Sequence, residues 1–363
     1  MNILMVIPTL ETGGAQKLLE SMVPLMQNDH QVKIVVFKRL NSDIERNLSS
    51  NKVPISFLNI GTHSPMAILK LWKFLKWADV VHTHLFPVHY YTAVSNLFLH
   101  KPHVFTEHST YNKRRAHSWL RPIEKFIYNK INQTVSITDA TKNALIEWLK
   151  TSNPAKMSKV ILNGIDLNKY KNALIKTPEE IFGRSGIPVL MISRFTKAKD
   201  HKTVLRALKI IKDPNVFVVF VGDGDLKSDI EKYAETLHLQ DRVMFLGARN
   251  DIPELIKASK IGVQSSHWEG FGLTAVEMMA GGIPVIASNV KGLADIVGSS
   301  GLIFEKENHE MLACHIKNLM EDEILYKKLQ TQGYETAANY SIENTVSNYL
   351  ELYKSLLSHS SIS

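Results

Sequence analysis

Twelve short runs rich in β-branched residues alternate with helical patterns, and this alternation restricts the fold more than any other feature of the chain. Six runs lie in the first half, at Ile3–Ile7, Val32–Phe37, Ile55–Leu58, Val80–His82, His103–Thr106 and Thr134–Ile137. Six more follow at Val189–Ser193, Val216–Val221, Val243–Leu246, Ile261–Gln264, Val285–Ala287 and Leu302–Phe304. Strands joined through crossover helices run parallel, because a tight turn can only connect antiparallel neighbours. Two such series imply an α/β chain with two doubly wound, Rossmann-like parallel-sheet domains, for which 363 residues leave ample length. The polar stretch Asp166–Gly186 separates the series. The expected division is a first domain at 1–168, a linker at 169–186, a second domain at 187–340 and a terminal segment at 341–363. That last segment carries a helical pattern over Ile342–Leu357, with apolar positions at Val346, Tyr349, Leu350 and Tyr353.

Open parallel sheets bind ligands beyond the carboxyl ends of their strands, so the strand-end loops are where chemistry is sought. After the first run comes Thr12-Gly13-Gly14, a glycine turn feeding a helix. It is no dinucleotide fingerprint, because G-x-G-x-x-G is missing and the second run is followed by Lys38-Arg39 rather than an acidic residue. After the fourth and fifth runs come His84 and His108. His82 and His84 have metal-pair spacing but no cysteine or carboxylate cluster joins them, so no metal is expected. After the seventh run, Arg194 and Lys199 stand five residues apart, able to straddle a pyrophosphate or to be an ordinary exposed basic loop. Glu269 and Glu277 bracket the glycine turn Gly270-Phe271-Gly272 and the start of a helix. Such a turn admits close approach of backbone amides, and a helix N-terminus favours an anion, so a phosphorylated sugar fits. Eight residues of helix would separate the carboxylates by roughly 10 Å or more, enough to address two parts of one ligand.

Glu269 to Glu277 matches the E-x7-E signature of retaining glycosyltransferases with the GT-B fold, and its surroundings resemble family 4 of that class, the group 1 glycosyl transferases. Arg194 and Lys199 match the family's R-x4-K pair, Gly13-Gly14-Ala15 its G-G-A loop, and Asn163-Gly-Ile-Asp166 its domain-junction N-G-I-D. The resemblance implies two domains facing across a cleft, the first binding acceptor, the second binding donor, with the terminal helix crossing back to the first. It implies catalytic roles for His108, Arg194, Lys199 and Glu269. Donor contacts fall to Gly13, Gly14, Gly222, Arg249, Phe271, Gly272, Leu273, Thr274 and Glu277 as well as to Arg194, Lys199 and Glu269. Glu269 would meet the hexose and Glu277 the ribose, and His84 would line the acceptor side. Val290-Lys291-Gly292-Leu293-Ala294-Asp295 departs from the usual pattern, which has a second glycine and a glutamate there.

The implied activity moves a hexose, with retention, from a nucleoside diphosphate sugar to a glycan or lipid-linked glycan in cell-surface polysaccharide synthesis, such as lipopolysaccharide or capsule. It needs no cofactor and no metal. A sugar phosphorylase, a nucleotide-sugar epimerase, or a non-catalytic subunit of a polysaccharide assembly complex are rival readings.

Charge adds a partner. Residues 1–166 hold 20 Lys and Arg against 11 Asp and Glu, whereas the remainder holds 23 against 24. Lys113, Arg114, Arg115, Arg121 and Lys125 fall in a segment with apolar spacing of three and four, which reads as a basic amphipathic helix. Met66–Trp77 mixes lysines with two tryptophans. Both patterns suit an anionic membrane surface; no nucleic-acid motif accompanies the charge. No window has the apolar length of a membrane span, and the start Met1–Pro8 reads as a strand rather than a leader. The expected location is the cytoplasm, peripherally at the inner face of the cytoplasmic membrane. Cys314, the single cysteine, is expected in the core.

Overall fold

The computed structural model describes residues 1–11, 13–110, 112–151 and 158–360. Thr12 and the side chain of Lys113 lie outside the described residues. The chain divides into two units, Met1–Gly164 with Ile342–Ser363, and Ile165–Ser341.

The first unit holds seven strands: β1 (Asn2–Ile7), β2 (Gln31–Val36), β3 (Ile55–Phe57), β4 (Val80–His84), β5 (His103–Glu107), β6 (Gln133–Ser136) and β7 (Ser158–Val160). Their order across the sheet is β3-β2-β1-β4-β5-β6-β7, every neighbour parallel. Side chains alternate between faces along a strand, and both faces are covered here, as a parallel sheet requires. Ile3, Met5 and Ile7 pack with Leu18, Met22, Val346, Tyr349 and Tyr353 on one face. Leu4 and Val6 pack with Leu71 and Leu75 on the other. The helix Ile342–Ser360 therefore forms part of the first unit's core.

The second unit holds β8 (Ile187–Ile192), β9 (Val216–Val221), β10 (Val243–Phe245), β11 (Ile261–Gln264), β12 (Val285–Ser288) and β13 (Leu302–Phe304), ordered β10-β9-β8-β11-β12-β13 and again all parallel. Val189, Met191, Val218 and Phe220 pack under the helices His201–Ile210 and His309–Glu321 through Leu205, Leu208, Leu312 and Ile316. The two folds are α/β with Rossmann-like winding. Strand order reverses between β1 and β4 in one sheet and between β8 and β11 in the other, and a ligand crevice forms at such points.

Each of the twelve β-branched runs is a strand. The thirteenth, β7, has only one β-branched residue in Ser-Lys-Val and lies at the sheet edge, so no pattern announces it. Residues 169–186, expected as a linker, fold with the second unit. They contribute most of the short helix Leu167–Lys171 and all of Pro178–Phe182, whose Thr177–Glu180 capping box and buried Phe182 against Phe217 fix it in place. Cys314 is exposed, because the helix His309–Glu321 buries Leu312, Ala313, Ile316 and Leu319 and turns position 314 outward.

The segment expected as one basic amphipathic helix is broken. Two 3-10 turns, Lys113–Ala116 and Ser118–Leu120, precede a helix at Arg121–Asn129 that starts afresh at Pro122. Its arginines supply the reason. Arg114 pairs with Glu124 at 2.7 Å and Arg115 with Glu107 at 2.9 Å, pulling that backbone off a helical path.

Candidate active site

In the second unit the loops leaving β8 and β11, the two strands flanking the order reversal, are tied together by backbone hydrogen bonds. Asp200 N–H donates to Ser265 at 3.0 Å and His267 N–H to Ala198 at 2.8 Å. Lys199 is thereby held over the β11 loop, where its ammonium donates to Ser266 Oγ at 3.2 Å and forms an ion pair with Glu269. A cation from one sequence motif and an anion from another thus share one half-buried spot. Arg194 is exposed on the same loop and makes no ion pair among the described residues. Asp200 caps the helix His201–Ile210 through Thr203 N–H, and His201 stacks on Phe195 with ring centroids 4.1 Å apart. Burial, then the charge of Lys199, lowers the His201 pKa to about 4, so this ring is a neutral support.

Two glycines shape the same place. Gly222, at the end of β9, has φ +136°, and a Cβ there would lie 2.1 Å from Ser193 O. Only glycine lets the β9 loop pass against the strand end that carries Arg194. Gly272 caps the helix Leu273–Ala280 at φ +96° without a side-chain acceptor, which leaves the first-turn amides of Leu273 and Thr274 for an anion. Phe271 is buried against Tyr340, so any ligand contact it makes is through its main chain. Glu277 is buried on that helix and is hydrogen-bonded by Tyr170, whose phenol pKa is raised by burial and by the Glu277 charge. Arg249 is engaged by Asp251 in a two-point ion pair, with Nε to Oδ1 at 2.7 Å.

In the first unit the strands flanking the reversal end at Ile7, whose loop leads to Gly13, and at His84, and the next strand, β5, ends just before His108. Gly13 is the N-cap of the helix Gly14–Met26. His84 Nδ1 and His108 Nε2 are 3.0 Å apart, so one ring donates to the other. His84 is fully buried, and its Nε2 has no hydrogen-bond partner among the described residues. Burial lowers both rings, His108 to about 3, which keeps the pair neutral at ordinary pH.

Arg114 and Arg115, expected at a membrane or acceptor surface, point inward. Glu124 also accepts from Tyr90 at 2.6 Å and from the Trp148 indole, and Glu107 from Tyr128 at 3.3 Å, so each arginine closes a buried network. Arg121 lies over the Trp148 ring and Lys125 reaches Lys150 O at 3.4 Å. Sequence reasoning missed Ser266, Tyr170 and the contact made by Gly292, whose missing Cβ lets its loop approach Gly270 O and Glu269 O. The Gly292 loop stood out only as a departure from a pattern, and Tyr170 lay in the presumed linker.

Two family profiles match the chain: "Glycosyltransferase Family 4" over residues 12–169 and "Glycosyl transferases group 1" over 179–336. Among curated relatives, the chain is 30% identical over 324 residues to the Escherichia coli UDP-Gal:alpha-D-GlcNAc-diphosphoundecaprenol alpha-1,3-galactosyltransferase, covering 83% of this chain and 82% of that protein. It is 25% identical over 269 residues to a lipopolysaccharide core biosynthesis mannosyltransferase of Rhizobium meliloti (strain 1021), covering 70% and 72%. Among solved structures, Anabaena Alr3699/HepE in complex with UDP shares the fold at TM-score 0.85 and 21% identity, with 98% of this chain and 100% of that chain covered.

Proposed function

Because the chain belongs to the family 4, group 1 glycosyltransferases, we propose that it transfers a hexose, with retention, from a nucleoside diphosphate sugar to a glycan or lipid-linked glycan destined for a cell-surface polysaccharide. The observation that carries this reading is the meeting of Lys199, Ser266 and Glu269 at the order reversal of the second sheet. UDP-hexose is the favoured donor class, given the E. coli relative's UDP-galactose.

Arg194, Lys199 and the amides at Leu273 and Thr274 receive the negative charge of the departing diphosphate, so no metal ion or other cofactor is called for. Glu269 addresses sugar hydroxyls and Glu277 the ribose. His84 and His108 serve the sugar-transfer step as neutral hydrogen-bonding groups. Neither glutamate acts as one of two carboxylates flanking a bond in glycosidase fashion, since each is already held by a neighbour, Lys199 or Tyr170. Retention then follows from attack on one face. The bond from C1 to the diphosphate oxygen breaks with its electron pair going to that oxygen, the acceptor oxygen bonds to C1 from the same side, and the acceptor proton passes to the diphosphate.

No helix among the described residues is long and apolar enough to cross a membrane. A lipid-linked acceptor would be met by peripheral docking of the first unit, without Arg114 and Arg115, which are engaged by Glu124 and Glu107.

The test is turnover of a panel of UDP- and GDP-hexoses by Arg194→Ala. Exposed and without an ion pair among the described residues, Arg194 contributes little to folding, so the variant should keep its melting temperature and lose about 10²–10³ in rate. Near-normal turnover in the folded variant overturns the assignment. Dependence on inorganic phosphate would return the phosphorylase, turnover without acceptor to an altered nucleotide sugar the epimerase, and no turnover by the wild type the non-catalytic subunit.

A further inference from the structure

Alternation along β4 places Val80, His82 and His84 on one face of the first sheet, the face covered by the C-terminal helix Ile342–Ser360. Tyr349 and Tyr353, one turn apart on that helix, are fully buried there. Tyr353 Oη lies 2.6 Å from His82 Nδ1, His82 Nε2 lies 2.7 Å from Thr106 Oγ1, and Thr106 Oγ1 lies 2.9 Å from Tyr349 Oη. Burial, reinforced by His108 and His103, keeps His82 neutral, with one nitrogen donating and the other accepting. Its two partners therefore fix the plane of the ring, and because each hydroxyl can donate or accept, a change at either one alters the balance of tautomers.

The His82 ring is also the floor beneath His84. Their centroids are 4.0 Å apart with a 40° tilt, and Tyr349 closes the other approach to His82 at 4.9 Å. His84 in turn holds His108 through the 3.0 Å contact between Nδ1 and Nε2. An unbroken run of contacts thus leads from the C-terminal helix to the histidine pair.

We propose that Tyr353 is a positioning residue for the His84–His108 pair, acting through His82 with Tyr349 and Thr106 at the far end of the same chain. Tyr353 touches no reacting atom. Its hydroxyl sets the His82 ring, and His82 sets how far His84 can turn. Without that hydroxyl a buried ring nitrogen loses its partner, and the ring rotates or exchanges tautomer to recover one. The spectroscopic part of the proposal stands on geometry alone; the kinetic part rests on the function proposed above.

The experiment uses the full chain labelled with 15N-histidine, as wild type, Tyr353→Phe and Val346→Ala. Val346 is a buried apolar residue of the same helix outside the hydroxyl–imidazole chain, so its truncation loosens the helix without touching the ring. Two measurements are made: long-range 1H–15N imidazole spectra, which report tautomers, and steady-state consumption of UDP-galactose. In Tyr353→Phe the resonances of His82, His84 and His108 should all move, and kcat should fall about 10- to 100-fold, as a displacement near 1 Å at a reacting centre can cost. Donor KM should change little. Val346→Ala should leave the three imidazoles in place at a comparable loss of melting temperature. If Tyr353→Phe does not fold, Tyr349→Phe reads the same chain from its other end and should shift the same three signals. Unmoved His84 and His108 signals in a folded tyrosine variant, or equal shifts in Val346→Ala, overturn the positioning role. If the imidazoles move as stated while the wild type consumes no UDP-galactose, the positioning stands and the choice of donor falls.

Discussion

Glu269 and Glu277 look alike in sequence, and the fold has treated them differently. Glu269 is paired with Lys199, a partly exposed cation that an anionic ligand can compete for. Glu277 is nine-tenths buried and fixed by Tyr170, leaving it a rigid acceptor for a neutral hydroxyl pair such as a ribose presents. Glu277→Gln should therefore weaken binding of UDP alone about 10- to 100-fold, the scale of one hydrogen bond to a charged group. Tyr170→Phe should weaken it less, and Glu269→Gln should leave it unchanged while impairing sugar transfer. Titration calorimetry with UDP separates them, and equal losses at both glutamates would refute the division. The motif residues stood out in sequence because they recur at fixed spacing along the chain. Tyr170 did not, because the residue that braces a motif glutamate comes from a separate helix about a hundred positions earlier and obeys no local pattern.

At the level of elements, twelve of the thirteen strands were legible, and the paths of the loops between them were not. β-branched runs announce strands that are buried on both faces, whereas the break in the 113–129 segment is dictated by Glu107 on β5, a partner that periodicity cannot see. The same limit applies to glycines. Gly222 resembled a family turn, yet the structure gives it a steric task at the crossing of two strand ends. Gly222→Ala should cost about 1–3 kcal/mol from the left-handed backbone alone, and more because the Cβ meets a backbone oxygen. Displacing Ser193 and Arg194 should weaken donor binding in parallel. Gly183→Ala, also at positive φ but with open space around it, is the control and should show only the smaller, backbone cost. A melting temperature for Gly222→Ala no lower than that of the control would sink the argument.

Over the whole molecule, the basic surplus of residues 1–166 remains after Arg114 and Arg115 are spent on buried glutamates. What the structure exposes beside it is apolar: Trp119, Ile123 and Phe126 stand outward at helical spacing, 68%, 49% and 55% exposed, with Lys130 over the Phe126 ring. This patch suits insertion among anionic headgroups rather than purely electrostatic adhesion. Trp119→Ser with Phe126→Ser should abolish cosedimentation with anionic vesicles, and high salt should weaken binding only in part. Binding that survives the double substitution would remove the patch from consideration. The chain's order of assembly has its own consequence. Because the first unit is built from Met1–Gly164 and Ile342–Ser363 with the second unit inserted between, a ribosome makes the entire second unit before it makes the helix bearing Tyr349 and Tyr353. One face of the first sheet has the helix Gly14–Met26 but lacks its second cover through that interval, and His82 is without Tyr353. The strands that carry the histidine pair are thus among the earliest parts of the chain to be made and among the last to be braced, because the tyrosine that holds His82 arrives only with the helix Ile342–Ser360.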